Sequence, residues 1–268
     1  MANDVVRFVS NAKFLYVVGI LLLWFLSYNY NPVLAFSYAI IGFLALIIFW
    51  NEKIPTIYIE RFPNRLKSFA VAFVGLLVFF VLSNIVLSVL GLVKTSFSLG
   101  SMIGLYAEAV PYFAQNLFVS ILVFVFIIPF FESDGLFGQV YMFLTKYFRV
   151  SPFSWTNKKV LGIVALLISF FIFIHLTAKS LTTNMTEQLI MIGLLALVSI
   201  VMIMITKQTV EAILMHVFAN GLGILVRFDL LPSGEMISTW VIVLFGSVAF
   251  IYLWLTKALK INRIGVGT

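Results

Sequence analysis

Long apolar runs alternate with short polar segments along most of this chain. A helix that crosses a bilayer needs roughly 20 apolar residues. Eight runs approach or exceed that length: 14–31, 32–50, 68–93, 112–133, 160–178, 187–206, 209–226 and 238–256. The pattern therefore predicts an all-α, polytopic membrane protein with about eight transmembrane helices.

The segment 134–149 follows the fourth run and has a different pattern. Its apolar residues, among them Leu136, Phe137, Val140 and Tyr141, form a helical stripe, and basic residues lie at its end. We expect it to extend the fourth helix toward the cytoplasmic interface and to end at Ser151-Pro152.

The distribution of Lys and Arg predicts the orientation of the helices. With eight spans and the N-terminus inside, 14 of the 17 basic residues fall in cytoplasmic segments. The outer segments carry only Lys94, Lys179 and Arg227. Because cytoplasmic loops carry the excess of positive charge, we expect an N-in/C-in arrangement.

Composition supports lipid as the solvent for most of the surface. The chain is 63% hydrophobic and 10% charged, with a mean hydropathy of +1.15, whereas a soluble domain is about half apolar and about a quarter charged. The absence of cysteine excludes disulfides, thiol catalysis and thiolate metal sites. Although the net charge is +7, the basic residues lie in short loops between apolar runs, so we expect the lipid bilayer, and no nucleic acid, as a partner.

A few polar residues within the predicted spans need an explanation, because an ionised group at mid-membrane costs about 2.5–3.5 kcal/mol. They are Glu132 in the fourth span, His175 in the fifth, and Glu211, His216 and Asn220 in the seventh. The chain has 2 histidines, and both lie in predicted spans. His216 and Asn220 are four residues apart and therefore share a helix face.

Two chemistries fit a carboxylate and two imidazoles brought together from three helices. They could hold a metal ion with an open coordination position. Alternatively, the glutamate could polarise a water while a histidine and an asparagine stabilise an oxyanion. Both lead to hydrolysis inside a membrane cavity. The plainer interpretation is that each histidine is an interhelical hydrogen-bond partner, and that Glu211, near Lys207, is a solvated charge at a helix start.

Three segments, in order, resemble the motifs of the CAAX protease and bacteriocin-processing family of intramembrane proteases, also called the Abi family. Those motifs are E-E-x-x-x-R, F-x-x-x-H and H-x-x-x-N/D on separate helices. Here Pro129 to Gly138 is similar to the first, Ser169 to Leu176 to the second with Phe171 and His175 in register, and Thr206 to Asn220 to the third. The resemblance covers about residues 115–225. Ser133 and Phe137 stand where the family has its second acid and its arginine.

The resemblance implies an intramembrane endopeptidase that cuts a peptide or membrane-protein substrate. It implies that Glu132 activates the water with help from His175, and that His216 and Asn220 bind the oxyanion. No cofactor is favoured, because a zinc-like divalent metal held by Glu132, His175 and His216 would leave no obvious base. The alternative function is a catalytically degenerate relative that acts by binding, as a bacteriocin-immunity or regulatory protein. A transporter is disfavoured, since no pair of broken helices recurs in two halves.

The expected organisation is a single membrane domain, 1–268, in three parts: an N-terminal three-helix part (1–111), the family-like catalytic core (112–226), and a C-terminal helix and tail (227–268). The expected location is a bacterial plasma membrane. One geometric obstacle follows from helical rise. His175 lies much farther from the start of its predicted span than His216 does from Lys207, so the two meet only through a kink, a tilt or a deeper start of the fifth span.

Overall fold

The fold is described from a computed structural model, which describes residues 65–93, 99–110, 115–177, 184–231 and 246. These residues form helices and connecting turns, with no strand among them. The α-helices are α1 (Arg65–Val89), α2 (Leu99–Ala109), α3 (Leu117–Ser120), α4 (Tyr141–Tyr147), α5 (Lys158–Thr177), α6 (Met185–Thr206) and α7 (Val210–Arg227). Two π-helical segments, π1 (Ile121–Ile127) and π2 (Phe130–Val140), lie between α3 and α4.

Within this described part, 4 helical stretches are long and apolar enough to cross a membrane: Lys67–Val89, Leu117–Gly138, Met185–Thr206 and Val210–Arg227. They correspond to the predicted third, fourth, sixth and seventh spans. The predicted fifth span forms α5, a helix of 20 residues. The predicted spans 14–31, 32–50 and 238–256 lie outside the described residues, so the total of eight and the N-in/C-in orientation stay predictions.

The fourth predicted span is one continuous helical rod that changes its hydrogen-bonding pattern along its length. It begins at Leu117, where the Asn116 side chain accepts a hydrogen bond from the backbone N–H of Val119 at 3.0 Å. It passes through π1 and π2, whose wider turns carry i→i+5 bonds. It then continues as α4 to Tyr147. The prediction that residues after 133 extend this helix is confirmed.

Helix α2 was not predicted, because its 11 residues are too few for a span. Its buried side chains include Leu99, Met102, Ile103 and Tyr106, spaced as one face of an α-helix. That face packs against α1, α6 and α7. The predicted outer segment between the third and fourth spans therefore contains a helix that reaches into the bundle.

Helix α7 lies at the centre of the described bundle and packs against α1, α2, α6, π1 and π2. Small residues permit the close approach. A Cβ built on Gly223 would lie 2.8 Å from Cγ2 of Val110 and 3.4 Å from Cα of Ala107, so only glycine fits against the end of α2. The face of α7 contributes to two large apolar clusters of the described residues: Met215 and Ala219 belong to one, and Ala212 belongs to the other.

Candidate functional site

A buried carboxylate lies between two imidazoles that come from different helices. Glu132, in the first turn of π2, is 7% exposed. Its Oε1 lies 3.7 Å from Nε2 of His175, in the last turn of α5. Its Oε2 lies 3.4 Å from Nε2 of His216 on α7. The obstacle posed by helical rise is therefore overcome: each histidine reaches a different oxygen of one carboxylate.

His175 is oriented by its own helix. Its Nδ1 lies 2.9 Å from the backbone carbonyl oxygen of Phe171, one turn earlier. Its ring also makes an edge contact with the Phe171 ring, with centroids 4.3 Å apart. A carbonyl oxygen can only accept a hydrogen bond, so Nδ1 is the nitrogen that carries the proton, and in the uncharged ring Nε2 presents a lone pair to Glu132.

His216 is held between Glu132 and a residue next to it in the chain. The Nδ1 atom of His216 lies 3.2 Å from Oγ of Ser133, while Nε2 faces Glu132. Ser133 is fully buried, and its Oγ also lies 3.5 Å from the backbone carbonyl oxygen of Ala212. Ser133, which the sequence marks only as a departure from the family motif, therefore contacts the imidazole directly.

Asn220 lies one turn after His216 on α7, and both ends of its amide are hydrogen-bonded. Its Oδ1 accepts from the Tyr106 hydroxyl at 2.6 Å, and its Nδ2 donates to the carbonyl oxygen of Phe124 at 2.7 Å. Asn220 is thus held by α2 and π1 one helical turn from His216, and Tyr106 contacts it from a segment without any family motif.

The other departure from the family motif has an apolar role. Phe137, where the family has an arginine, is fully buried and packs edge-to-face against Phe171 at a centroid distance of 4.9 Å. Phe171 in turn contacts the ring of His175. An aromatic chain therefore supports His175 at the position where the family pattern would place a charge.

The interpretation of Glu211 as a solvated charge at a helix start was wrong. It is 4% exposed, and its Oε1 accepts a hydrogen bond from the Ser68 hydroxyl at 2.9 Å. Its Oε2 is buried without a hydrogen-bond partner among the described residues. The packing of α1 against α7 covers this first turn, which amphipathic patterning along α7 alone does not reveal.

The metal alternative has a definite geometry to satisfy, since zinc sits about 2 Å from nitrogen and oxygen donors. Glu132, His175 and His216 are the donors predicted for it. No group of three or more His, Cys, Asp or Glu side chains in the described segments is arranged to hold a metal ion.

The arrangement provides a carboxylate that can accept a proton, an imidazole nitrogen that can accept a hydrogen bond and another that can donate one. The roles of Glu132, His175, His216 and Asn220 stay predictions. No family model, no curated protein and no solved structure matches this chain.

Proposed function

We propose that this protein is an intramembrane endopeptidase of the CAAX protease and bacteriocin-processing type, which hydrolyses a peptide or membrane-protein substrate. One observation carries the proposal. The two oxygens of the buried Glu132 carboxylate face Nε2 atoms of histidines on two other helices, at 3.7 Å and 3.4 Å. A carboxylate and two imidazoles so placed inside an apolar bundle provide the groups that general acid–base hydrolysis needs.

Glu132 and His175 activate the water. Both Oε1 of Glu132 and the lone pair on Nε2 of His175 are acceptors, and a water has two O–H groups to donate. A water donating to both is oriented with its own lone pair free to attack. Glu132 takes one proton as the water oxygen bonds to the carbonyl carbon of the substrate.

Two residues of α7, His216 and Asn220, stabilise the intermediate. The oxyanion of the tetrahedral intermediate accepts a hydrogen bond from Nε2 of His216 when that nitrogen carries the ring proton. Asn220 has two amide N–H groups, of which one donates to Phe124, and the other is the second donor. The carbon–nitrogen bond then breaks, and the proton held by Glu132 passes to the leaving nitrogen.

The setting of this chemistry is the lipid bilayer. The described residues contain helices that fit an integral membrane protein. We propose eight spans with both termini in the cytoplasm, and a bacterial plasma membrane as the location. The substrate then reaches the site from within the membrane, and the order of the three motif-like segments along the chain supports the assignment to this family.

A second candidate, favoured by specific observations, is a non-catalytic relative that binds a partner membrane protein as an immunity or regulatory factor. Phe137 packs in the core where the family has an arginine, and Asn220 is already bonded to Tyr106 and Phe124. In this candidate the same polar cluster stabilises the helix bundle and carries out no turnover.

Substitution of the three central residues distinguishes the two candidates. We expect Glu132→Gln, His175→Ala and His216→Ala each to lower turnover by about 10²-fold or more, since each removes an acid–base or oxyanion interaction. The measurement is mass-spectrometric comparison of new peptide termini in membranes of cells that carry the wild type or a variant. Glu187→Gln, the same chemical change in the first turn of α6, is the matched control.

Wild-type patterns of cleavage in all three variants would exclude the peptidase and leave the binding candidate. Removal of metal ions with a chelator tests the alternative that Glu132, His175 and His216 hold a metal. Turnover by the purified protein is expected to be unchanged after prolonged treatment with a strong zinc chelator, and a loss that added zinc restores would contradict a metal-free role of Glu132 as the base.

A further inference from the structure

Ser133 contacts the one ring nitrogen of His216 that does not face Glu132. The Oγ–Nδ1 distance is 3.2 Å, and the Ser133 hydroxyl has a second acceptor, the Ala212 carbonyl oxygen, at 3.5 Å. Both side chains are buried, with Ser133 0% and His216 2% exposed. The single hydroxyl proton of Ser133 can therefore be donated to either of two acceptors. The two choices require opposite tautomers of His216.

If Ser133 donates to Ala212, then Nδ1 of His216 carries the ring proton and donates to Oγ. Nε2 would then direct a lone pair at Oε2 of Glu132, 3.4 Å away. If Ser133 instead donates to Nδ1, the proton is on Nε2, which then directs an N–H at the carboxylate. Two observations favour the second arrangement: Nδ1 is the nearer acceptor of Ser133, and a carboxylate oxygen pairs with a donor.

His175 has the opposite constraint. Its Nδ1 faces the Phe171 carbonyl oxygen, which can only accept, so the proton lies on Nδ1 and Nε2 is an acceptor. The two histidines thus present unlike nitrogens to the two oxygens of Glu132. One side of the carboxylate has an acceptor beside it, and the other has a donor.

We propose that Ser133 is a positioning residue that fixes His216 in its Nε2–H tautomer and so makes it a hydrogen-bond donor toward the reacting group. The effect of this tautomer on catalysis rests on the proposed function. The residue that replaces the second acid of the family motif then has a role of its own, because a neutral hydroxyl selects the tautomer without adding a second negative charge beside Glu132.

The two histidines make the tautomers directly measurable. Protein labelled with ¹⁵N only in histidine, in lipid nanodiscs, gives four ring-nitrogen signals, and the loss of one pair in His216→Gln assigns them. Long-range ¹H–¹⁵N correlation spectra distinguish a protonated ring nitrogen from an unprotonated one. We expect the proton on Nε2 in His216 and on Nδ1 in His175.

Ser133→Ala removes the donor, and we expect the Nε2–H to Nδ1–H population ratio of His216 to fall by about two- to tenfold, the range of one net hydrogen bond. Ser133→Thr keeps a hydroxyl and should restore the ratio. Ser199→Ala is the matched control, because Ser199 is equally buried and has no hydrogen-bond partner within the described residues. The signals of His175 should stay unchanged throughout.

An Nδ1–H tautomer of His216 in the wild type would overturn the proposal, as would an unchanged tautomer ratio in folded Ser133→Ala. Peptidase turnover is a separate readout. If the protein turns over peptide, Ser133→Ala should lower kcat by about the same two- to tenfold and leave KM nearly unchanged. If no turnover is found and the tautomers follow Ser133, the tautomer assignment stands and the proposed function fails.

Discussion

At the scale of single residues, the environment of Glu132 decides what its carboxyl group can do. A buried carboxyl group needs polar neighbours, and the neighbours of Glu132 are two imidazoles whose other nitrogens are engaged by Ser133 and the Phe171 carbonyl. Because each ring is held at Nδ1, each is oriented before a substrate arrives. Such pre-orientation is what general acid–base and oxyanion chemistry requires.

A substitution of Tyr106 tests how much a residue outside the motif-like segments contributes to the stability of the protein. Tyr106→Phe removes the hydroxyl that donates to Asn220 at 2.6 Å and leaves a buried amide oxygen unsatisfied. We expect the free energy of unfolding to fall by about 1–3 kcal/mol. The measurement is thermal or denaturant unfolding in detergent.

Tyr147→Phe is the control for that experiment, because the Tyr147 side chain is exposed at the end of α4. The same substitution there should leave unfolding nearly unchanged. Equal stability of Tyr106→Phe and the wild type would show that the bond to Asn220 contributes little.

At the scale of elements, π2 and α7 form the frame of the site. Three successive side chains of π2 contact α7 or the residue before it: Glu132 and Ser133 meet His216, and Asp134 accepts a hydrogen bond from the Thr209 hydroxyl at 2.9 Å. Successive residues of a regular α-helix point about 100° apart. The contact of all three with one neighbour is therefore a feature that α-helical periodicity does not predict.

The packing of α2 on α7 gives a prediction at this scale. Gly223→Ala places a methyl group 2.8 Å from Cγ2 of Val110, so α2 must shift away from α7. We expect a loss of about 1–3 kcal/mol of stability, the usual cost of overpacking. Gly162→Ala in α5 is the matched control, since nothing lies within 4 Å of its added Cβ.

Both variants are compared by their thermal midpoints in the same detergent. A lowered midpoint for Gly223→Ala alone supports the close contact between α2 and α7. Equal midpoints would mean that the end of α2 can move at little cost.

At the scale of the whole molecule, charge and apolar length together predict how the helices are arranged in the membrane. The basic residues cluster in alternate connecting segments, as expected when cytoplasmic loops retain positive charge. Helix α7 packs against α1, α2, α6, π1 and π2 and carries the buried polar side chains Glu211, His216 and Asn220. The bilayer supplies no hydrogen bonds, so polar side chains are stable where they meet each other inside the bundle.

The absence of cysteine makes the predicted topology simple to test, because single cysteines introduce the only thiols. A membrane-impermeant maleimide is expected to label Ser96→Cys and Thr182→Cys in intact cells. Thr56→Cys and Thr156→Cys should react only after the membrane is permeabilised. Labelling of all four in intact cells, or the reverse pattern, would contradict the N-in/C-in arrangement.

The apolar runs by themselves determined that this chain is helical and belongs in a membrane, because run length and hydropathy are local properties. They also singled out Glu132, His175, His216 and Asn220, since a polar group inside an apolar run is visible without any neighbour. The helical spacing of Leu99, Met102, Ile103 and Tyr106 could also have predicted α2. The helix was missed because its 11 residues are too few for a transmembrane span.

Only the tertiary structure decided which faces meet. Periodicity tells which side chains share a helix face, but not which other helix that face contacts. The contacts of Glu132 with both histidines, the burial of Glu211 against Ser68, and the bonds of Ser133 and Tyr106 to His216 and Asn220 all join residues that are far apart in the chain. Such contacts depend on how the helices pack, and packing is a property of the whole bundle.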